Sequence, residues 1–240
     1  MTGVFVALRE ELAPILARAR NVRPIGRGVR AASLGGQEIC VAVTGDGAAR
    51  AEREAGGLLR RFRFSALVGA GIAGALSTDL VEGDVLLGRE VRGADGTALR
   101  PDPGLAERGA RVADRSGILV SAPGIVWTAR EKAGLLAASG TGESVAVDVE
   151  SAPWARAAAG AGVPFLALRV VLDPANEDLP AALRPAFRNG SLDRFAVAAH
   201  ALRHPSAVGE LLRLRQRTRS AMTKLAECLE RFFTLSAESR

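Results

Sequence analysis

The sequence predicts an α/β fold, and three observations carry that expectation. Residues 145–176 read as an apolar strand ending in Asp148-Val149-Glu150, an Ala-rich helical stretch with Trp154, a Gly/Pro break, and a second strand ending on Asp173. Short apolar runs alternate with helix-period stretches along most of the chain, beginning with 4–8 and 10–20, the pattern of strand–helix units. Hydrophobic residues make up 48% of the 240, enough to fill a substantial core.

Taken in order, 4–8 is a first buried strand, and 10–20 a helix with Leu12, Ile15, Leu16 and Ala19 at helical spacing. Glu10 and Glu11 then stand at a helix start, where complementing the dipole is an ordinary role for an acid. Strands over 29–34 and 38–44 are joined by Gly35-Gly36, a hairpin signal. Gly45-Asp46-Gly47 leads into a helix over 48–63 but lacks the spacing of a phosphate-binding loop, and Asp46 would repel a phosphate. A strand over 65–70 gives way at Gly71-Ile72-Ala73-Gly74-Ala75-Leu76 to an expected turn, whose small residues would let a flat ligand approach the backbone.

A strand starts at 83. A Gly/Asp/Pro-rich loop over 93–104, a helix to about 116 and a strand over 118–121 follow. Residues 122–128 form an apolar turn containing Ile125, Val126 and Trp127, ahead of a helix over 129–138. The tail, 192–235, reads as two helices split at Pro205. In the second, Leu211, Leu214, Met222, Leu225, Leu229 and Phe232 make an apolar stripe, with Arg213, Arg217, Lys224 and Arg231 on another face. It is a helix docked on the domain, or an interfacial helix that touches anionic lipid.

Composition removes several classes of function. The longest apolar run, 67–76, is broken by three glycines and is too short to cross a bilayer. The first residues lack the basic region and cleavage site of a signal peptide, which points to the cytoplasm. Cys40 and Cys228 offer neither a disulfide framework nor metal spacing. His200 and His204 stand one turn apart with no acidic ligand near, so no metal and no cofactor is expected. Of the net charge of +6, residues 184–240 hold 11 Lys/Arg against 5 Asp/Glu, while the remainder balances at 21 of each. A basic tail suits an anionic surface. It lacks interleaved aromatic residues and any nucleic-acid motif, so no nucleic-acid partner is expected.

In open α/β folds ligands sit at the carboxyl ends of strands, which would bring Glu150 and Asp173 to one mouth. Each has an ordinary alternative, Glu150 as a first-turn helix charge and Asp173 as a solvated loop charge. Asp173 fits that alternative less well, because Pro174 follows and no helix starts at once.

Four ordered motifs carry a resemblance: Ala7-Leu8-Arg9-Glu10-Glu11-Leu12, Val68-Gly69-Ala70-Gly71-Ile72-Ala73-Gly74-Ala75-Leu76, Val147-Asp148-Val149-Glu150-Ser151-Ala152 and Arg169-Val170-Val171-Leu172-Asp173-Pro174-Ala175. With these, residues 1–180 resemble the purine nucleoside phosphorylase and nucleosidase superfamily, particularly the methylthioadenosine/S-adenosylhomocysteine nucleosidase branch. The Arg-Val-Val-Leu-Asp-Pro-Ala variant, Asp178-Leu179-Pro180 and the His204-Pro205 tail are most similar to the hopanoid-associated phosphorylase branch, which takes adenine from adenosylhopane to leave ribosylhopane.

The resemblance implies a three-layer fold with a central mixed sheet flanked by helices. Residues 1–183 would form the catalytic domain, with a basic helical segment, 184–240, packed on it, and the protein would be a homodimer. It implies Glu10 as the acid that orients and deprotonates water, Glu150 as the one gripping ribose hydroxyls, and Asp173 as the general acid to purine N7. Gly71, Ile72, Ile125, Val126, Val149 and Leu172 would contact the substrate. Ile125 stands where the nucleosidases commonly carry an aromatic residue, Val149 where they carry Met, Leu172 where they carry Ser, and Ile72 where they carry a small polar residue. Each departure makes the pocket more apolar and suits a ligand with a large hydrocarbon body. Glu10 favours hydrolysis; Arg27, Arg30 and Arg50 are available for phosphate, but no motif demands it. The alternatives are a soluble nucleosidase or phosphorylase acting on a small 5′-substituted adenosine, and a non-catalytic nucleoside- or nucleic-acid-binding module.

Overall fold

The computed structural model describes residues 1–140, 142–180, 184, 187–188, 191–192 and 205–238. The elements run β1 (Thr2–Val6), α1 (Arg9–Arg18), β2 (Arg20–Gly26), β3 (Val29–Leu34), β4 (Gln37–Val43), α2 (Ala48–Arg61), β5 (Ala66–Ala75), β6 (Val85–Gly93), β7 (Ala98–Leu99) and α3 (Pro103–Ala110). They continue β8 (Arg115–Ser121), α4 (Ala129–Ser139), β9 (Val145–Asp148), α5 (Ser151–Gly160), β10 (Phe165–Asp173), the short hairpin β11 (Phe187–Arg188) and β12 (Ser191–Leu192), and α6 (Pro205–Glu238).

One mixed ten-stranded sheet organises the chain, in the order β10-β6-β8-β9-β5-β1-β4-β3-β2, with β7 on β6. Because β10 also pairs with β5, five strands close into a ring and the other four long strands extend from it as an open sheet. Alternation along β1 shows how the layers form: Val4 and Val6 point to one face and Phe5 to the other. The first face packs on Ile15 of α1, Leu105 of α3, and Met222, Leu225, Leu229, Phe232 and Phe233 of α6. The second packs on Ala51 and Ala55 of α2 and on Trp154, Ala155 and Ala158 of α5. These are three layers, helices, sheet and helices, as expected.

Four expectations change. Residues 71–75 are not a turn but the second half of β5, because β10 pairs with that strand from Leu67 to Gly74. β2 was not anticipated, since its exposed sequence RNVRPIG has no apolar alternation. The strands β9 and β10 run in opposite directions, since β5 is antiparallel to β9 and parallel to β10. Glu150 and Asp173 therefore do not share one carboxyl end; they approach β5 along its two edges. Finally, the tail expected as two helices begins with β12, and the stretch assigned to its first helix, 193–204 with both histidines, lies outside the described residues. Its second helix is α6.

Candidate active site

β5 positions the site. On one edge it pairs with β10 along most of its length, and on the other with β1 at Ala66–Gly69 and with β9 at Gly74 and Ala75. Between β1 and β9 that second edge is open, and the backbone N–H of Ile72 points out of the gap. It donates to Oε1 of Glu11 at 3.2 Å.

Glu11 is drawn there by the start of α1. Leu8, at the N-cap position, has no side-chain oxygen to cap the helix, so Glu11 folds back and accepts from the N–H groups of Ala7 (2.8 Å) and Leu8 (2.9 Å) through Oε2. It is 2% exposed. This corrects the expectation for Glu10. An α-helix turns about 100° per residue, and Glu10, one position earlier, is exposed on the rim of the cavity rather than inside it.

Glu150, at the N-cap position of α5, is buried and accepts from the backbone N–H of Gly47 at 3.1 Å. Burial pushes its pKa up to about 8; Arg169 opposes the rise, and the nearby Asp148 and Glu11 add to it. Glu11 is likewise pushed up by burial, against Arg169 and three backbone N–H groups. Both acids thus face one guanidinium.

Arg169 sits in the middle of β10, 1% exposed. Its Nε donates to Ser151 Oγ at 3.1 Å, and its plane lies over the Trp154 ring, 4.8 Å from the centroid. Nη2 forms an ion pair with Asp148 at 2.6 Å whose alignment falls short of a hydrogen bond. Asp148 is held in turn by Ser121 Oγ at 2.6 Å and the Ser151 N–H at 3.2 Å. Gly71 of β5 is the register partner of Arg169. A Cβ on Gly71 would collide with Arg169 Nη1 and fall 2.8 Å from Glu11 Oε1. Gly71, expected to touch substrate, does not line the cavity; it is the floor that lets these two heads lie against the strand.

At the other end of β5, Asp173 pairs in register with Gly74 and comes 2.8 Å from where a Cβ there would be. Asp173 is 5% exposed, and burial raises its pKa, while Lys132 lowers it. Lys132 Nζ stands 2.5 Å from Asp173 Oδ2.

Glu11, Ile72, Ile125, Val126, Val149, Glu150, Leu172 and Asp173 all border one cavity of about 2220 Å³ that opens to solvent. Apart from Gly71 and the rim position of Glu10, the expected site residues converge. The sequence reading passed over Arg169 and Lys132. A charged residue within the apolar run 165–172 was a legible signal for Arg169; Lys132 had none, since a lysine in a helix reads as solvated. Among the described residues there is no group of three His, Cys, Asp or Glu suited to a metal.

A three-layer fold with acids gathered on a small-residue strand defines a nucleoside phosphorylase-like protein. The chain belongs to the phosphorylase superfamily, whose family model matches residues 2–203. No curated protein matches it by sequence. Among solved structures, it is similar to the 5′-methylthioadenosine/S-adenosylhomocysteine nucleosidase of Neisseria meningitidis in complex with methylthio-immucillin-A, at 18% identity and a TM-score of 0.75, covering 98% of each chain. It is also similar to the S-adenosylhomocysteine nucleosidase of Streptococcus pyogenes (19%, TM-score 0.75, 98% of this chain and 96% of that one) and to the futalosine hydrolase of Helicobacter pylori (20%, TM-score 0.70, 96% of each). At these identities the likeness speaks for the fold.

Proposed function

We propose that the protein is a purine nucleosidase that cleaves the N-glycosidic bond of a 5′-substituted adenosine with water. The observation that carries this reading is the convergence of three buried carboxyl groups, Glu11, Glu150 and Asp173, on one cavity. Breaking the bond passes through an oxocarbenium-like sugar, so the base must be neutralised, the sugar held near carboxylates, and a nucleophile supplied. Asp173 gives its proton to purine N7, and burial favours the protonated form it needs. Glu150 grips the ribose hydroxyls. Glu11, beside Arg169, orients the water and takes its proton. A carboxylate at the nucleophile's position repels phosphate, which favours hydrolysis over phosphorolysis.

For the 5′ substituent we propose a large hydrocarbon, as in adenosylhopane, with adenine and ribosylhopane as products. The cavity runs on from Ile72, Val149 and Leu172 between α1 and α6, along Ala13, Pro14, Ala17, Leu211 and Leu214. Val208 (38% exposed) and Leu212 (57%) stand at its outer end, with Arg213, Arg215 and Arg219 exposed on the same helix. An apolar patch among arginines favours contact with an anionic membrane, from which such a substrate would be drawn. Methylthioadenosine or S-adenosylhomocysteine is the second reading, favoured by the overall likeness of fold.

The test is adenine release from methylthioadenosine and from a 5′-alkyl adenosine, each with and without phosphate. We expect the alkyl analogue to be preferred and phosphate to change nothing. Glu11→Gln, Glu150→Gln and Asp173→Asn should each lower kcat/KM by about 10²-fold or more, while Glu10→Gln stays near wild type. Full activity in Glu11→Gln and Asp173→Asn removes the reading.

A further inference from the structure

Lys132 is wholly buried on the first turn of α4. Its ammonium group donates to the Pro174 carbonyl at 2.7 Å and the Glu177 carbonyl at 2.8 Å, and forms an ion pair with Asp173 Oδ2 at 2.5 Å. Asp173 is the last residue of β10, and both carbonyls lie on the loop that leaves it. The same loop is tied to the start of α4 by the Ala129 N–H to Asp178 (2.7 Å), and to the segment just before that helix by the Leu179 N–H to the Trp127 carbonyl (2.8 Å). A buried cation is costly unless it is paired, and the carboxylate given to this one borders the cavity.

We infer that Lys132 is a positioning residue for the proton donor: it fixes one oxygen of Asp173, leaves the other to the purine, and stabilises the carboxylate formed as the proton departs. The inference rests on Asp173 being that donor. In the step, the Asp173 proton moves to N7, the C1′–N9 bond breaks with its electron pair going to the base, and Asp173 is left as a carboxylate against the ammonium. Among the described residues, the charged groups facing Asp173 are Lys132 from α4, Glu177 from its own loop and Arg217 from α6, and the strand beneath presents Gly74. Lys132 and Arg217 favour the ionised form, and Glu177 opposes it.

Lys132→Met in the full-length protein tests this with two substrates: the 5′-alkyl adenosine, and a 4-nitrophenyl riboside whose leaving group needs no proton. Adenine release should fall about 10²-fold in kcat, with the nitrophenyl riboside cleaved at a near-wild-type rate. Without the neighbouring cation Asp173 holds its proton longer, so the alkaline limb of the adenine pH profile should move up by about 1–3 units. Lys132→Gln, which keeps amide donors without the charge, should move the limb in the same direction and serves if the Met variant does not fold. In an Asp173→Asn background neither change should cost further activity. Equal loss on both substrates with an unmoved profile, or no loss at all, overturns the inference. Full adenine release by Asp173→Asn alone would instead overturn the parent reading of Asp173.

Discussion

Folding disfavours the ionised form of Glu150, because burial raises its pKa. Its pKa of about 8, against 4.5 for a free side chain, means that between those values the unfolded chain is ionised while the folded protein keeps its proton. Stability therefore falls as pH rises from about 4.5 to 8 and is lowest above that. Glu150→Gln keeps the Gly47 contact and cannot ionise. It should match wild type near pH 4 and exceed it at pH 9 by a few kcal/mol, on the order expected for a shift of this size; thermal melts at the two pH values measure this. Gly71→Ala acts on the same cluster by shape. The added methyl displaces the Arg169 head from the strand, and we expect about 1–3 kcal/mol of destabilisation together with loss of activity, read by urea unfolding and adenine release. At this scale the sequence singled out Glu150 and Asp173, both of which border the cavity, because acids at the ends of apolar strands are conspicuous. The water-orienting role was expected of Glu10, the neighbouring acid at the same helix start, and only the backward fold of Glu11 onto Ala7 and Leu8 singles out Glu11 instead.

The elements divide into those whose apolar period could be read and those whose role lies elsewhere. α1, α2, α4 and α5 fall within a few residues of their expected spans because their apolar and small residues repeat at helical spacing. The second half of β5 was misread for a physical reason: its glycines, which signal turns in isolation, are there because side chains from β10 and α1 lie against them. The β3–β4 hairpin shows the same kind of constraint. Gly35 has φ of +54°, and a Cβ on it would come within 2.5 Å of the Glu230 carbonyl and 2.6 Å of the Thr234 nitrogen of α6. Gly35→Ala should therefore loosen α6 from the sheet at a cost of about 2 kcal/mol or more, seen as a lowered Tm. The other half of α6 carries the proposed lipid contact. The protein should co-sediment with phosphatidylglycerol vesicles and not with phosphatidylcholine, and Leu212→Glu should weaken that binding; equal binding to both lipids would remove charge from the explanation.

Across the whole molecule, the residues of the proposed site gather where β5 changes partners, between β1 and β9. This part was least legible beforehand, since no local pattern says that two strands with acids at their ends run in opposite directions along a third. The layers were legible, because each long strand has residues for two cores. Closing five strands into a ring has a further result for how the protein behaves in a crowd. Ring strands have their flanks occupied by one another, so among the described residues the long exposed border of the sheet is β2. There Pro24 offers no N–H for a stranger's backbone to bond to, and Arg20 and Arg23 repel the same border on a second molecule. The stretch least readable as a strand thus carries the residues that disfavour edge-to-edge pairing between copies.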